Sequence, residues 1–253
     1  MKSAKDFING LNIRDLVIDR EFDGTTIVSK WNWDYSDALE AQKKCLQFVR
    51  ENRAARILIC CSHPHVFTVG RGLQKGKTEE LKALVDFDMG MVKQLSFPVH
   101  KINRGGGLTF HYPGQWIIYP IVNLNNPDFN LKTLTYWLLE KVKVVIEKEF
   151  SLHGLDYDRP LLGLWCGRTK VASVGIGVEH FVTYHGLALN LTRDAFMFKE
   201  LSRINPCGLS ALSYSCLSDH VDAGMHDGML GRFHRTFCHE TERELQLKFL
   251  PQP

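Results

Sequence analysis

Three short segments of this 253-residue sequence carry residue types and spacings suited to covalent chemistry. Cys207 sits between Pro206, which fixes the entry of the chain, and Gly208, which permits an unusual φ beside the thiol. Such a triplet presents a nucleophile. Taken alone, one cysteine among seven reads equally as a small buried hydrophobe. Lys170 opens a run of small and apolar residues, Lys170-Val171-Ala172-Ser173-Val174-Gly175. A lysine partly desolvated there has a lowered amine pKa, and an ammonium beside a thiol lowers the thiol pKa, so the pair activate each other if the fold brings them together. The plainer reading of Lys170 is a solvated charge on an edge strand. The third segment is RGGGLTFHYPGQ at 104–115, whose glycines Gly105, Gly106 and Gly107 let backbone approach a ligand that any Cβ would repel. It lacks the Gly-Lys-Ser/Thr of a phosphate-binding loop and the glycine spacing of a dinucleotide fingerprint. His111, flanked by aromatics, closes this segment, and a lone histidine in such a place is usually structural.

These residues need elements to hold them. The segment 37–50 starts with Asp37 and Glu40 as a capping pattern and spaces Ala38, Ala41, Cys45, Leu46 and Val49 as an amphipathic helix. A second helix spans 131–150, with Leu134, Leu138, Val142, Val145 and Ile146 on one face. Strands are expected at 56–61, at 66–69 and at 114–123, the last following the glycine-rich loop. An antiparallel meander follows, 161–166, 169–178 and 181–191, turning at Gly167-Arg168 and Glu179-His180. A short helical turn at 194–201 leads to Cys207. The expected fold is α+β, one domain over 1–253 with a mixed or antiparallel sheet flanked by helices, chemistry in 37–219 and a less defined tail at 220–253.

Composition bounds the function. Lys and Arg exceed Asp and Glu by 31 to 28, and 44% of residues are apolar, which excludes a disordered chain and gives no basic surface for nucleic acid. No apolar run approaches bilayer-spanning length, so no membrane role is expected. The first residues carry no apolar signal region, and seven irregularly spaced cysteines read as reduced thiols, so the expected compartment is the cytoplasm.

In order and spacing, SHPHVFTVG at 62–70, RGGGLTFH at 104–111 with PGQ at 113–115, KVASVG at 170–175, TYHGLALN at 183–190 and PCG at 206–208 resemble the octanoyltransferase family of the biotin/lipoyl protein ligase superfamily. The resemblance implies a ligase-like α+β fold and a ping-pong acyl transfer. Cys207 takes an octanoyl group from octanoyl-acyl carrier protein and passes it to a lysine of a lipoyl domain, on a 2-oxoacid dehydrogenase complex or the glycine cleavage H protein. It implies that Lys170 is the catalytic partner, and that substrate lies against Arg104, Gly105, Gly106, Gly107, Leu108, Thr109, Phe110 and His111, against Ser173, Val174 and Gly175, and against Gly186, Leu187 and Ala188. Neither cofactor nor metal is implied. Balanced net charge suits transient meetings with acidic partners, for which Arg104 and Lys101 are the local basic groups.

One departure stands out: Tyr112 occupies the place where the family has glycine between His and Pro-Gly-Gln, where a phenol narrows the mouth of the site. Alternatives are an ATP-dependent lipoate or biotin ligase, which has no need of Cys207, a lipoyl amidotransferase, and a non-enzymatic module that binds acyl carrier protein or lipoyl domains. A zinc site among His234, Cys238 and His239 lacks a second ligand pair, and the expectation is a surface helix with incidental His and Cys.

Overall fold

The computed structural model describes residues 3–72, 95–125, 130–157, 162–204 and 214–248. The chain opens with α1 (Ala4–Gly10), then the hairpin β1 (Val17–Phe22) and β2 (Thr25–Lys30), then α2 (Tyr35–Glu51). Strands β3 (Arg56–Cys61), β4 (Val66–Gly72), β5 (Val99–Lys101), β6 (Gly106–His111) and β7 (Gln115–Ile121) precede α3 (Leu131–Phe150). Then come β8 (Leu155–Asp156), β9 (Gly163–Cys166), β10 (Thr169–Glu179) and β11 (Val182–Asn190), followed by α4 (Ala195–Ile204) and α5 (Met229–Lys248).

Eight strands form one mixed sheet in the order β1-β2-β3-β7-β11-β10-β9-β8, in which β2 and β3 run parallel and the other neighbours antiparallel. The expected mixed sheet flanked by helices is present, and a second, three-stranded sheet, β5-β4-β6, accompanies it. The central strands alternate with period two. Leu58, Cys60, Trp116, Ile118, Leu187 and Leu189 face α3 and α5, whereas Ile57, Ile59, Cys61, Ile117, Tyr119 and Ile121 face α2. Covered on both faces, β3 and β7 read in sequence as unbroken apolar runs.

Local chemistry sets the boundaries. Asp34, rather than Asp37, caps α2, accepting from the backbone N–H of Ser36 at 2.8 Å and Asp37 at 3.2 Å. Asp37 lies in the first turn, where its charge suits the helix dipole. Asn130 and Thr133 form a reciprocal capping box on α3, which begins and ends where the periodicity places it. The β10–β11 turn falls at His180 and Phe181, one residue later than expected, with φ of 50° and 64° at two non-glycine residues. That strain fits the primed turns that right-twisted hairpins require.

The tail is a structural element of the core. Trp116 packs edge-on to Phe233, with ring centroids 4.8 Å apart, and tilted against Phe237 at 4.8 Å, and all three are fully buried. Lys148 binds Glu240 at 2.7 Å across the α3–α5 contact. Phe233→Ala is therefore expected to destabilise the protein by about 3–5 kcal/mol in urea denaturation. A loss under about 1 kcal/mol would make α5 peripheral.

Candidate active site

The pairing of β10 with β11 assembles most of the anticipated residues. Ser173 lies opposite Ala188, Val174 opposite Leu187 and Gly175 opposite Gly186. The segment before β6 joins this ladder through the Gly105 N–H, which donates to the Ile176 carbonyl at 3.2 Å. The result is a cleft of about 330 Å³ lined by Arg104, Thr109, His111, Ser173, Val174, Gly175, Gly186, Leu187 and Ala188. A second cleft of about 320 Å³ shares Thr109 and Ser173 and adds Leu108, Phe110, Gln115, Asn190, Met197 and Tyr214.

The glycines act differently from the expectation. Gly105, Gly106 and Gly107 line neither cleft. Their segment nests against other backbone: a Cβ on Gly175 would come 2.7 Å from the Gly105 carbonyl, and one on Gly70 would come 2.3 Å from that of Gly106. Gly106 has φ +79° and, with Gly107, starts a strand rather than a loop. Close strand packing, then, requires the glycines at 70 and 175.

Arg104 is buried in this nest. Its Nη2 donates to the Thr68 carbonyl at 3.1 Å and to the hydroxyls of Thr68 at 2.9 Å and Thr109 at 2.8 Å, and its Nη1 to the Gly105 carbonyl at 2.9 Å. Four scaffold bonds make it a strut with a charge beside the cleft. A side chain only 6% exposed cannot steer acidic partners from the surface, which corrects that part of the reading for Arg104.

A polar chain runs on from it. The Thr68 hydroxyl lies 3.1 Å from His111 Nε2, and His111 Nδ1 lies 2.7 Å from Gln115 Oε1. Gln115 Nε2 donates to Asn190 Oδ1 at 2.9 Å, and Asn190 Nδ2 donates to the Ser215 carbonyl at 3.2 Å. Ser215 N–H in turn donates to the Lys170 carbonyl at 3.2 Å, and Tyr214 bridges Lys170 in parallel pairing. Lys170 is buried on β10 opposite Trp165, its Nζ 5.6 Å from the indole. It is three residues from Ser173, about 10 Å along the strand. Cys207 lies outside the described residues.

Sequence reasoning missed the other end of the first cleft, where Tyr35, Tyr119 and His185 stand. The Tyr35 hydroxyl and His185 Nε2 are buried without hydrogen-bond partners among the described residues. The signal was present: Tyr119 and His185 interrupt otherwise apolar buried strands, where a polar side chain needs a reason. Tyr112, by contrast, lines neither cleft. Its ring is fully buried in a cluster with Phe110 and Met197, its hydroxyl 3.5 Å from Cys216 Sγ, so it does not narrow these openings.

Comparison with known proteins bears on the family and the fold. The family described as lipoyl protein ligase A/B catalytic domain matches residues 34–227. An octanoyltransferase of Nostoc punctiforme is 33% identical over 190 residues, covering 74% of this chain and 75% of the relative, and one of Geotalea uraniireducens is 31% identical over 188 residues, covering 74% and 79%. The chain belongs to the octanoyltransferase family. A chloroplastic octanoyltransferase of Arabidopsis thaliana is 32% identical over 198 residues, and this chain spans 64% of that protein's length. Among solved structures, Plasmodium falciparum LipL1 with lipoate superposes with a TM-score of 0.64 over 90% of this chain and 65% of that one at 10% identity. A lipoate-protein ligase A bound with ATP gives 0.53 over 88% and 92% at 12%. At such identities these likenesses concern the fold, which is the ligase-like α+β fold the motifs implied.

Burial also sets the charge state of the site. It lowers the pKa of His63 from 6.5 to about 4, that of His185 to about 3, and that of His111 well below its usual range. All three are neutral at pH 7. The unfolded chain takes up their protons near pH 6.5 while the folded chain does not, so their contribution is complete above that pH and is lost as pH falls towards 4 and below. Each adds a slope of about 1.4 kcal/mol per pH unit in that window. Urea denaturation from pH 7.5 to 4.5 is expected to show stability falling below pH 6.5, with a shallower fall in His63→Gln. An unchanged slope in that variant contradicts the assignment.

Proposed function

We propose that the protein moves an octanoyl group from the thioester of octanoyl-acyl carrier protein, by way of Cys207, to a lysine of a lipoyl domain. In the first step the Cys207 thiolate attacks the thioester carbonyl; the new Cys207 thioester forms, the bond to the donor's sulfur breaks, and the leaving thiolate takes a proton from the Lys170 ammonium, which becomes a neutral amine. In the second, the neutral amine of the acceptor lysine attacks that thioester, an amide forms and Cys207 is released as thiolate. A thioester is already activated, so no ATP enters. Lys170 keeps Cys207 ionised before the first step and handles the amine proton in the second.

The observation that carries this reading is the convergence on β10. One strand bears both Lys170 and the Ser173–Gly175 wall of the clefts, and the described chain resumes at Tyr214 directly beside Lys170. The helix α4 ends at Ile204, three residues before Cys207 in the sequence. Met197 of that helix and Tyr214 line the same cleft. The acyl chain runs from there past Ser173 towards Ala188 and Ile117, whose apolar side chains lie on the cleft face of the sheet and take its methylenes. The acceptors fitting this reading are lipoyl domains of 2-oxoacid dehydrogenase complexes or the glycine cleavage H protein, in a cytoplasmic setting. No helix among the described residues is long and apolar enough to cross a membrane.

Incubation with octanoyl-acyl carrier protein without ATP, read by intact mass, checks the scheme. The expected result is one octanoyl adduct, discharged by a lipoyl domain, absent in Cys207→Ala and formed at least about 100-fold more slowly in Lys170→Met. Octanoylation that needs ATP and survives Cys207→Ala would instead identify a ligase. Binding without adduct or transfer would identify a non-enzymatic module.

A further inference from the structure

Where the N-terminal hairpin meets the last helix, three side chains that acyl transfer does not use converge. Asp19 sits at an irregularity of β1, where the register with β2 shifts between Ile18 and Arg20. His234 and Cys238 lie one turn apart on α5. One ligand atom from each of the three falls within 4.8 Å of the others. Asp19 Oδ2 is 3.2 Å from His234 Nε2, and Cys238 Sγ is 3.6 Å from the same nitrogen. His239, the third residue that the sequence pattern offered, pairs instead with Glu240 on the exposed side of the helix.

Two features point to a shared guest rather than to mutual contacts. Around a tetrahedral zinc ion, with nitrogen and oxygen at about 2.0–2.1 Å and sulfur at about 2.3 Å, nitrogen and oxygen ligands stand about 3.3 Å apart, and nitrogen and sulfur about 3.6 Å. The distances to Nε2 match these values, and Cys238 Sγ also lies 3.9 Å from Nδ1, so a turn of the imidazole is needed to aim the Nε2 lone pair at the shared point. Moreover, Asp19 Oδ2 is buried and accepts no hydrogen bond among the described residues, although a ring nitrogen lies 3.2 Å away.

We propose that Asp19, His234 and Cys238 bind one zinc ion, with a fourth position for water, and that this ion ties β1 to α5. A thiolate, an imidazole and a carboxylate form a donor set suited to zinc rather than to magnesium or calcium. One neighbour works against it. Trp116 Nε1 donates towards His234 Nδ1 at 3.5 Å, whereas a cation on Nε2 places the ring proton on Nδ1. The indole N–H thus weakens binding, and its removal should tighten it.

The test uses the full chain, stripped with a chelator and carrying Cys207→Ser so that Cys207 cannot contribute a thiolate. Cobalt(II) is titrated in as a spectroscopic probe and then displaced with zinc. The expected result is a thiolate-to-cobalt charge-transfer band saturating at one equivalent, abolished in Cys238→Ser, weakened in Asp19→Asn, retained in His239→Ala and tightened in Trp116→Phe. Zinc should also raise the thermal midpoint of the parent more than that of Asp19→Asn. Absence of a saturating band in the parent, or a band that persists in Cys238→Ser, overturns the proposal. Should Cys238→Ser fail to fold, the parent stoichiometry and the Asp19→Asn affinity decide it: an Asp19→Asn chain binding as tightly as the parent removes the site.

Discussion

At the centre of this molecule two strands face each other at a glycine pair, Gly175 on β10 and Gly186 on β11. The ladder is held by backbone hydrogen bonds, and its neighbouring backbone comes too close for side chains there. A Cβ on Gly186 would lie 2.1 Å from the Ile118 carbonyl, and one on Gly175 would meet the Gly105 carbonyl and the Arg104 side chain. From this pairing follow the docking of the segment before β6 onto β10 through Gly105, the burial of Arg104, the wall of the first cleft and the position of Lys170 along β10. Larger side chains would force apart the segments that form the cleft.

Around this ladder the protein keeps its imidazoles dry and neutral beside the buried cations Arg104 and Lys170. Arg104 lines the first cleft, and the nearby imidazoles of His63, His111 and His185 stay uncharged through desolvation. His63 is fixed between the Trp33 carbonyl and the Tyr119 hydroxyl, at 2.7 and 2.8 Å. The chain of bonds through His111, Gln115 and Asn190 fixes Ser215, which holds the Lys170 backbone. A fully bonded network of this kind positions rather than reacts, and it carries order from the arginine strut to the lysine.

Much of this was legible in the sequence because local signals and tertiary context agreed. The periodicity of 131–150 ends where αL Ser151 ends the helix, and the apolar run at 56–61 is a strand covered on both faces. Elsewhere the deciding contact was remote. The hairpin β1–β2 has an Asp23-Gly24 turn at φ of 42° and 72°, a signal available in the sequence, yet its strands carry too many charges to show a clean alternation. The tail looked peripheral because its apolar positions matter only when Trp116 is placed against them. Arg104 does line the first cleft, but the Thr68 hydroxyl and carbonyl that help hold it come from β4 and could not be read from its own segment. Likewise the spacing of His234 and Cys238 says little without Asp19, which comes from the other end of the chain.

The central claim is that β10 places the Lys170 ammonium where it keeps Cys207 ionised. The most direct measurement is the pH dependence of iodoacetamide alkylation at Cys207, followed by the mass of the peptide that contains it, in the parent and in Lys170→Met. The account predicts an inflection in the parent well below the usual thiol value of about 8.5, rising to that value or above in the variant. A parent inflection at about 8.5, or the same inflection in both proteins, would contradict it.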